Sequence, residues 1–248
     1  MRKESQLTRE QLLVRIGAVG VILGSVAVFA FRGLHGDLPT DEGGAAALEH
    51  VLEHLNYALV HLGANLGVLL WAVGLSALSS SLTHRVAWAI GRLGAASALV
   101  GAAIYIVDFS IDGFALRNLA DMWAAASPAE RADLEFATVL ATTILGGVSL
   151  SSIIILWGVT PVLYGVAVAR EGYPSWLGWA GVMVGAAVFA SGMGQFLWPG
   201  FVLGLVVYAG LPLVVQLWSL ALGIAMWRGA GTVAAADASQ QKPTATAT

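Results

Sequence analysis

The chain has 248 residues, of which 58% are hydrophobic and 11% are charged, whereas an ordinary soluble domain carries roughly 25% charged residues. This composition excludes a soluble enzyme, because one buried core cannot hold so many apolar residues and the rest must face the apolar interior of a bilayer. The net charge of −3 leaves no basic domain to bind nucleic acid, and the sequence has no cysteine for disulfides or thiolate metal sites.

Six apolar segments are long enough to cross a hydrocarbon core about 30 Å thick as helices. They are predicted at residues 12–31, 55–78, 86–109, 136–159, 176–197 and 201–227. The fourth apolar segment continues to Ala169, so we expect Gly158 and Pro161 to kink the helix or to end its membrane-spanning part. The predicted fold is therefore all-α, with one six-span membrane domain over residues 1–228. The tail over 229–248 is rich in Ala, Thr and Gln, and we expect it to be disordered.

The distribution of basic residues predicts the orientation of these spans. With both termini in the cytoplasm, nine of the twelve Lys and Arg residues lie on the inner side, as the positive-inside rule requires. The outer side then holds eleven of the fifteen acidic residues. The first span is longer than the apolar core of a signal peptide, which has about 7–15 residues. We therefore expect an uncleaved, multi-pass protein of a bacterial cytoplasmic membrane with an acidic outer surface.

Two segments between the spans carry local structural signals. The first outer loop, residues 32–49, contains His35 and several acids, and a helix is predicted to begin near Ala45. The second outer loop, residues 111–135, contains Ser127-Pro128-Ala129-Glu130, a capping-box pattern with proline at the first helical position. This pattern predicts a short helix that leads into span four.

Histidines are concentrated at the outer end of span two. If this segment is one helix, His50, His54, Tyr57 and His61 fall within about 60° of one another and form a single stripe. His50 and His54 are four residues apart, so they could share a metal ion. His61 lies two turns further along, inside the hydrocarbon, where an ionisable side chain is costly and suggests a function.

Span three ends in a comparable polar stripe. Tyr105, Asp108 and Asp112 are spaced at i, i+3 and i+7, which places them on one side of a helix. Spans two and three are joined by a short turn and should be antiparallel neighbours. If the two stripes face each other, histidines and carboxylates form pairs beneath the outer surface.

Three interpretations of this cluster remain open from the sequence. The first is a hydrogen-bonded network that caps the bundle. The second is a divalent metal site, for an ion such as zinc, formed by His50, His54 and Asp112. The third is a ligand or proton pathway, for which the candidate groups are His61, Tyr57, Tyr105 and Asp108. The sequence thus predicts that an acidic pocket between spans two and three binds a metal ion or small ligand, for transport or sensing.

Two other function classes depend on single features. The segment His50-x-x-Glu53-His54 matches the pattern of inverted zinc proteases, in which two histidines bind zinc and the glutamate acts as base. A metal-dependent membrane hydrolase would use Glu53 in this way, although it would also need a third zinc ligand. The other class is a structural or partner-binding membrane subunit that has no pocket.

A haem held by two histidines is disfavoured by the sequence. Such a haem needs histidines on different helices at similar depth in the membrane. His61 lacks a partner of this kind, because His84 is assigned to the inner turn and His35 to the outer loop.

Glycines recur at the same spacing in two spans, at Gly17, Gly20 and Gly24 in span one and at Gly178, Gly181 and Gly185 in span five. One interpretation is an internal repeat of three hairpins. The other is helix packing, because small residues let membrane-embedded helices approach closely. Glycine-rich faces of this kind could also form a homo-oligomer.

The C-terminal third of the chain contains Tyr173-Pro174-Ser175-Trp176-Leu177-Gly178 and Leu217-Trp218-Ser219-Leu220. In these motifs the chain resembles a broad group of uncharacterised six-helix bacterial integral membrane proteins. Members have a Pro-x-Trp-Leu sequence entering span five and an apolar last span that contains tryptophan. The resemblance implies a six-helix topology and carries no functional residues.

Overall fold

In the part of the chain that the structure describes, six helices are long and apolar enough to cross a membrane, as the sequence predicts. The structure is a computed structural model, and it describes residues 8–198 and 210–240. The six candidate spans are Arg9–His35, Tyr57–Ser81, Arg85–Ala125, Pro128–Ala169, Ser175–Leu197 and Leu211–Gly229. Within the described ranges the chain is helical and has no strand. This architecture is that expected of an all-α, multi-pass membrane protein.

The described residues form nine α-helices and two π-helical segments. The π-helical segments are called π1 and π2 below. In chain order the elements are α1 Arg9–His35, α2 Gly44–Glu53, α3 Tyr57–Ser81, α4 Arg85–Ser110, π1 Ile111–Leu116, α5 Arg117–Ala125, α6 Pro128–Ser152, π2 Ile153–Val159, α7 Thr160–Ala169, α8 Ser175–Leu197 and α9 Leu211–Gln240.

The long helices pack into a closed ring. Helix α1 lies between α3 and α9, α3 also packs against α4, and α4 packs against α6 and α7. Helix α8 completes the ring by packing against α7 and α9. The short helices α2 and α5 lie together against α6 at one end of the bundle, around a small apolar cluster that includes Leu48, Leu116 and Trp123. We call this the α2–α5 end.

The helix boundaries follow from local chemistry. Thr8 and Gln11 form a capping box at the start of α1, and Gly36 ends that helix with φ +69°, a conformation that favours glycine. The capping box of Ser127 and Glu130 is present at the start of α6, as the sequence predicts. It begins the same continuous helix that forms span four, however, rather than a separate short helix.

Span four also continues past the residues at which a kink or an end is expected. The backbone N–H of Thr160 bonds to the carbonyl of Ile155, five residues earlier, within the π-helical turn π2. A wider π turn accommodates Pro161, which has no N–H to donate and whose ring crowds the preceding turn. The helix therefore extends to Ala169 instead of ending near residue 159.

The last described helix is longer than predicted, and residues 241–248 of the predicted tail lie outside the described residues. Helix α9 continues to Gln240, which includes most of the segment expected to be disordered. Alanine recurs in this segment, at Ala234, Ala235 and Ala236 among others, and it has the highest helix propensity of all residues. Residues 201–209, which the sequence assigns to the start of span six, lie outside the described residues.

The recurrent glycines form two matching helix contacts. A Cβ atom built on Gly74 of α3 would lie 2.6 Å from both Gly17 O and Val21 N of α1. A Cβ atom built on Gly165 of α7 would likewise lie 2.6 Å from both Gly178 O and Val182 N of α8. The repeated spacing thus coincides with two backbone-to-backbone packings, α1 on α3 and α7 on α8.

These two packings bear on the proposed internal repeat. In the first pair the helix with the three-glycine motif precedes its partner in the chain, whereas in the second pair it follows its partner. A repeat of sequential hairpins would keep the same order in both pairs. The packing requirement therefore accounts for the glycine spacing, and these glycine faces are used in contacts within the chain.

Substitution of Gly74 tests this close packing. We expect Gly74→Ala to lower the free energy of unfolding by about 1–3 kcal/mol, because the added methyl group would overlap the backbone of α1. The matched control is Gly147→Ala on α6, where an added Cβ has no atom within 4 Å. Thermal unfolding in detergent should place Gly74→Ala below the native chain and Gly147→Ala at or above it. Equal stability of the two variants would contradict the packing.

Candidate metal centre

Two histidines and one aspartate meet inside the bundle near the α2–α5 end. His35 Nε2 lies 2.9 Å and His61 Nε2 lies 3.2 Å from the same oxygen, Asp112 Oδ2. All three side chains are buried. Among the described residues, this is the one group in which three potential metal ligands lie within 4.8 Å of one another.

The three ligands come from three different elements. His35 is the last residue of α1, where it continues the buried face that contains Val21 and Val28 at intervals of seven residues. His61 lies one turn after the start of α3, and Asp112 lies in π1. π-Helical turns inside α-helices occur frequently at functional sites, because the extra residue changes the direction of the side chains that follow.

The approach of π1 to α3 requires a glycine. A Cβ atom on Gly113 would overlap the Cβ of His61, and both residues are buried. The absence of a side chain at position 113 therefore lets the neighbouring Asp112 reach the imidazole of His61. The aromatic ring of Phe109, one turn earlier, lies 5.2 Å from the His61 ring and forms an apolar wall.

Tyr57 orients both Asp112 and His61. Its hydroxyl donates a hydrogen bond to Asp112 Oδ1, which leaves Oδ2 facing the two histidines. Its backbone carbonyl lies 2.7 Å from His61 Nδ1. Since a carbonyl can only accept, Nδ1 of His61 carries a proton. The lone pair of a neutral His61 is then on Nε2, which faces Asp112 without making a hydrogen bond.

His35 has a similar backbone contact. Its Nδ1 lies 2.6 Å from the carbonyl oxygen of Gly36 and 3.1 Å from Arg32 Nη1. Only one of these contacts can be a good hydrogen bond for a given tautomer. On the other side of the ring, His35 Nε2 lies within hydrogen-bond distance of Asp112 Oδ2, which can only accept, so Nε2 donates to the carboxylate when no metal ion is bound.

The arrangement matches the chemistry of a metal site. Ligand atoms at about 2.0–2.2 Å from one zinc ion lie roughly 3–3.5 Å from one another, close to the observed distances of 2.9 and 3.2 Å. Metal-binding histidines usually donate their other ring N–H to a carbonyl or carboxylate, which fixes the tautomer. Two histidines and a carboxylate suit zinc or a similar divalent ion.

A cavity of about 700 Å³ adjoins this site. His35 and Asp112 form part of its wall, and it extends between α1, α6 and α9. Exposed residues of the loop after α1, including Asp37 and Asp41, line its other side. The cavity therefore joins the buried ligands to the surface of the molecule.

Tyr105 and Asp108 lie near the three ligands without joining them. Both are buried, as a stripe facing inward predicts. Asp108 accepts a hydrogen bond of 2.7 Å from Ser149 Oγ of α6, so it faces a different helix from Asp112. The Tyr105 ring stacks on Phe109 at 4.2 Å between centroids.

The structure corrects the predicted single stripe of histidines. Helix α2 ends at Glu53, and His54 has non-helical φ and ψ angles of −95° and 87°. Tyr57 and His61 therefore belong to a separate helix, α3. The break separates His50 and His54 from Asp112, and His35 takes the place that the sequence analysis assigned to them.

His50, which is half-buried, and His54, which is exposed, remain neighbours at the α2–α5 end. Their ring centroids are 4.2 Å apart, and His54 Nδ1 lies 2.7 Å from the His50 carbonyl oxygen. His54 and Glu53 are exposed. No third ligand joins His50 and His54 among the residues described, so the His50-x-x-Glu53-His54 segment lacks the ligand set that a catalytic zinc requires.

The structure also overturns the premise used against a haem. His35 does not lie in a loop, and its ring centroid is 4.6 Å from that of His61. The two histidines do therefore lie at similar depth on different helices. They converge on one Asp112 oxygen, however, an arrangement of a small ion site rather than of two axial ligands on opposite faces of a porphyrin.

The prediction that span one ends at residue 31 excluded His35 from the candidate ligands. A signal was present, since Val21, Val28 and His35 are seven residues apart and no proline lies between them. The π-helical turn that turns Asp112 towards His61 has no comparable signal.

Comparison with known protein families, curated proteins and solved structures finds no match.

His50 provides a pH-dependent test of the α2–α5 end. Burial lowers the pKa of His50 below its ordinary value, and the nearby His54 and His35 lower it further. The folded chain thus binds fewer protons at His50 than the unfolded chain does below about pH 6.5, so acid disfavours the folded state there. In an NMR titration, the His50 imidazole should protonate below pH 6.5.

Two variants complete this titration. His50→Gln assigns the resonance, and His54→Gln removes a positive neighbour, so the pKa of His50 should rise towards its ordinary value. A His50 pKa at or above about 6.5 in the native chain would contradict the burial of its ring.

Proposed function

We propose that this chain is a multi-pass membrane protein that binds a divalent transition-metal ion, such as zinc, through His35, His61 and Asp112. The observation that carries the proposal is the position of His61 Nε2. It is buried, it has no hydrogen bond among the described residues, and it lies 3.2 Å from a carboxylate oxygen. A cation between these atoms would satisfy both.

A hydrogen-bonded network accounts less well for the same geometry. His35 Nε2 donates a hydrogen bond to Asp112 Oδ2 when no metal ion is bound, so the network satisfies this histidine. It leaves His61 Nε2 without a hydrogen bond, and a neutral His61 then directs a lone pair at the same anionic oxygen. That arrangement is unfavourable in an environment of low dielectric constant. A metal ion that replaces the Nε2 proton of His35 would accept electron pairs from both histidines and from the carboxylate.

The geometry of the site supports metal binding more directly than it supports the movement of ions or protons across the membrane. Beyond His61, towards the opposite end of the bundle, the core contains Trp71, Leu75 and Tyr164, all fully buried. Proton-coupled transport through His61 and Asp108 would need a polar path through this region. The large buried side chains described there are apolar or aromatic, and the buried polar ones are uncharged, so we favour metal sensing or metal-dependent chemistry at the α2–α5 end over transport.

We further propose that the α2–α5 end faces the outside of a bacterial cytoplasmic membrane. In this orientation both termini are cytoplasmic and most Lys and Arg residues lie inside, as the positive-inside rule requires. The metal would then reach the site from the acidic outer surface, through the cavity that Asp37 and Asp41 line.

A metal-dependent hydrolase is the second candidate. Three protein ligands leave a coordination position free, as catalytic zinc sites do, and the adjoining cavity offers space for a substrate. In that case His35, His61 and Asp112 would hold the metal, rather than the surface segment that contains Glu53.

Metal analysis of purified protein tests the proposed ligands. After treatment with a chelator and reloading with metal, the native chain should bind one equivalent of Co²⁺ or Zn²⁺. Bound Co²⁺ should show the visible absorption bands of a site with low coordination number. His61→Gln and Asp112→Asn should each lose stoichiometric binding, because each removes one of three ligands. The control is the double variant His50→Gln/His54→Gln, which should bind as the native chain does.

Two results would contradict the proposed site. The first is the absence of stoichiometric binding in the native chain under these conditions. The second is a reversed pattern, in which the His50/His54 double variant loses the metal and His61→Gln keeps it.

Tyr57→Phe tests the positioning of the carboxylate. The variant keeps the ring but removes the hydroxyl that donates to Asp112 Oδ1, so metal affinity should fall by about 10–100-fold with the stoichiometry unchanged. The control is Tyr105→Phe, because the Tyr105 hydroxyl is buried close by and has no partner among the described residues. Competition with a chromophoric chelator measures both affinities. Equal affinities for the two variants would show that Tyr57 does not position Asp112.

A further inference from the structure

The wall of the 700 Å³ cavity includes two buried polar side chains that have no hydrogen-bond partner for their side-chain polar atoms among the described residues. Gln216 of α9 is 0% exposed, and neither Nε2 nor Oε1 of its amide has a hydrogen-bond partner among the described residues. The hydroxyl of Tyr105 lines the same cavity, and it is also buried and unpartnered within the described ranges.

These groups are unusual for the interior of a membrane protein. A buried amide without a hydrogen bond is unfavourable, so nearly all buried polar groups have a protein or water partner. An intramembrane polar side chain that lines a cavity is by default a candidate functional group. The same position could hold leucine with no loss of volume, so the structure retains an amide where packing alone does not need one.

The cavity has the size and lining of a small-molecule site. Ligand pockets of roughly 300–1,000 Å³ are mostly apolar and contain a few well-placed polar groups. Here the apolar part of the wall includes Phe109, Ile153 and Trp157, and the polar part includes Tyr105 and Gln216. An organic molecule of several non-hydrogen atoms would fill this space.

The chemistry of Gln216 indicates what such a molecule must offer. A primary amide has N–H donors and a carbonyl acceptor side by side. A second carboxamide satisfies both groups at once, whereas a ketone or ester offers only an acceptor. The acids Asp37, Asp41 and Asp112 line the cavity with a single arginine, Arg32, and this excess of negative charge disfavours an anionic carboxylate.

We propose that the cavity binds a small neutral organic solute that carries a carboxamide group, which Gln216 and Tyr105 recognise by hydrogen bonds. The solute reaches them from the loop after α1, where Asp37 and Asp41 are exposed. Its other end lies beside His35 and Asp112. The recognition depends on Gln216 and Tyr105 rather than on a metal, so it goes beyond the proposed metal site.

A single introduced cysteine can report on this cavity, because the chain has no cysteine of its own. Thr142 on α6 lines the cavity and is partly buried. Thr142→Cys should react with a water-soluble trimethylammonium methanethiosulfonate reagent in detergent. The matched control is Thr138→Cys, one turn earlier on the same helix. Thr138 is 0% exposed and does not line the cavity, so this cysteine should be unreactive.

The probes are propionamide, propionate and 2-butanone, which have similar size and differ in the group that meets Gln216. The assay uses chelator-treated protein, so its result does not depend on metal binding. Propionamide should slow the labelling of Thr142→Cys severalfold in a saturable manner. Butanone, which lacks the donor, and propionate, which is charged, should have little effect.

Two further substitutions in the Thr142→Cys background identify the recognising groups. Gln216→Leu should abolish the protection by propionamide, and it should raise thermal stability because it removes an unpartnered amide. Tyr105→Phe should weaken the protection and keep the ring stacked on Phe109. Since the two substitutions alter different helices, failure of one to fold leaves the other as the test.

Three outcomes would overturn the proposal. In the first, propionamide has no more effect than butanone. In the second, propionate protects better than propionamide, which would indicate an anion site. In the third, protection is unchanged in both Gln216→Leu and Tyr105→Phe, so that neither group recognises the amide.

Discussion

The central constraint on this structure is the burial of the Asp112 carboxylate in an apolar bundle. An ionised carboxylate removed from water is strongly unfavourable unless hydrogen bonds or cations compensate for the lost hydration. The surrounding residues meet this requirement in part. Tyr57 donates to one carboxylate oxygen, and the Nε2 atoms of His35 and His61 approach the other. The contact of His61 Nδ1 with a backbone carbonyl fixes the tautomer of a neutral His61, so its Nε2 lone pair faces Asp112. The charge of the carboxylate is therefore only partly compensated, and this is the basis for proposing a bound cation.

The site depends on helix contacts that hold its three ligands in register. His35 and His61 lie near the ends of α1 and α3, and these two helices are in backbone contact through Gly17, Gly24 and Gly74. Close contact between small residues fixes the separation of two helices within narrow limits, because little side-chain rearrangement is available there. Although these glycines lie several turns away from the two histidines, their packing therefore fixes the distance between the histidines. Gly113 does the same for Asp112, since it lets π1 approach His61 directly.

The six spans could be predicted from the sequence because length and hydropathy decide which helices cross a bilayer. The inward stripe of Tyr105, Asp108 and Asp112 could also be predicted, since it follows from helical periodicity alone. The partners of these residues could not. A break of three residues after Glu53 removes His50 and His54 from the helix of His61, and a π-helical turn changes the direction of Asp112. Both features depend on tertiary contacts, and each changes which side chains meet without altering the apolar pattern.

The buried polar groups near the α2–α5 end can be understood together. In a membrane, helices gain little from burying apolar surface against one another, so polar groups in their contacts contribute strongly to specificity but remain costly when unpaired. Most polar side chains in this bundle avoid that cost by bonding to a nearby carbonyl, as Thr138 and Ser152 do. Local hydrogen bonds, or replacement by apolar residues, would also remove this cost at His61, Gln216 and Tyr105. Each of these side chains nevertheless has a polar atom without a hydrogen bond among the described residues, in or beside one cavity. Unpaired polar atoms also occur elsewhere among the described residues. The three groups named here differ in lying in or beside a space that opens towards the surface, so that a molecule from outside the bundle can complete their bonds.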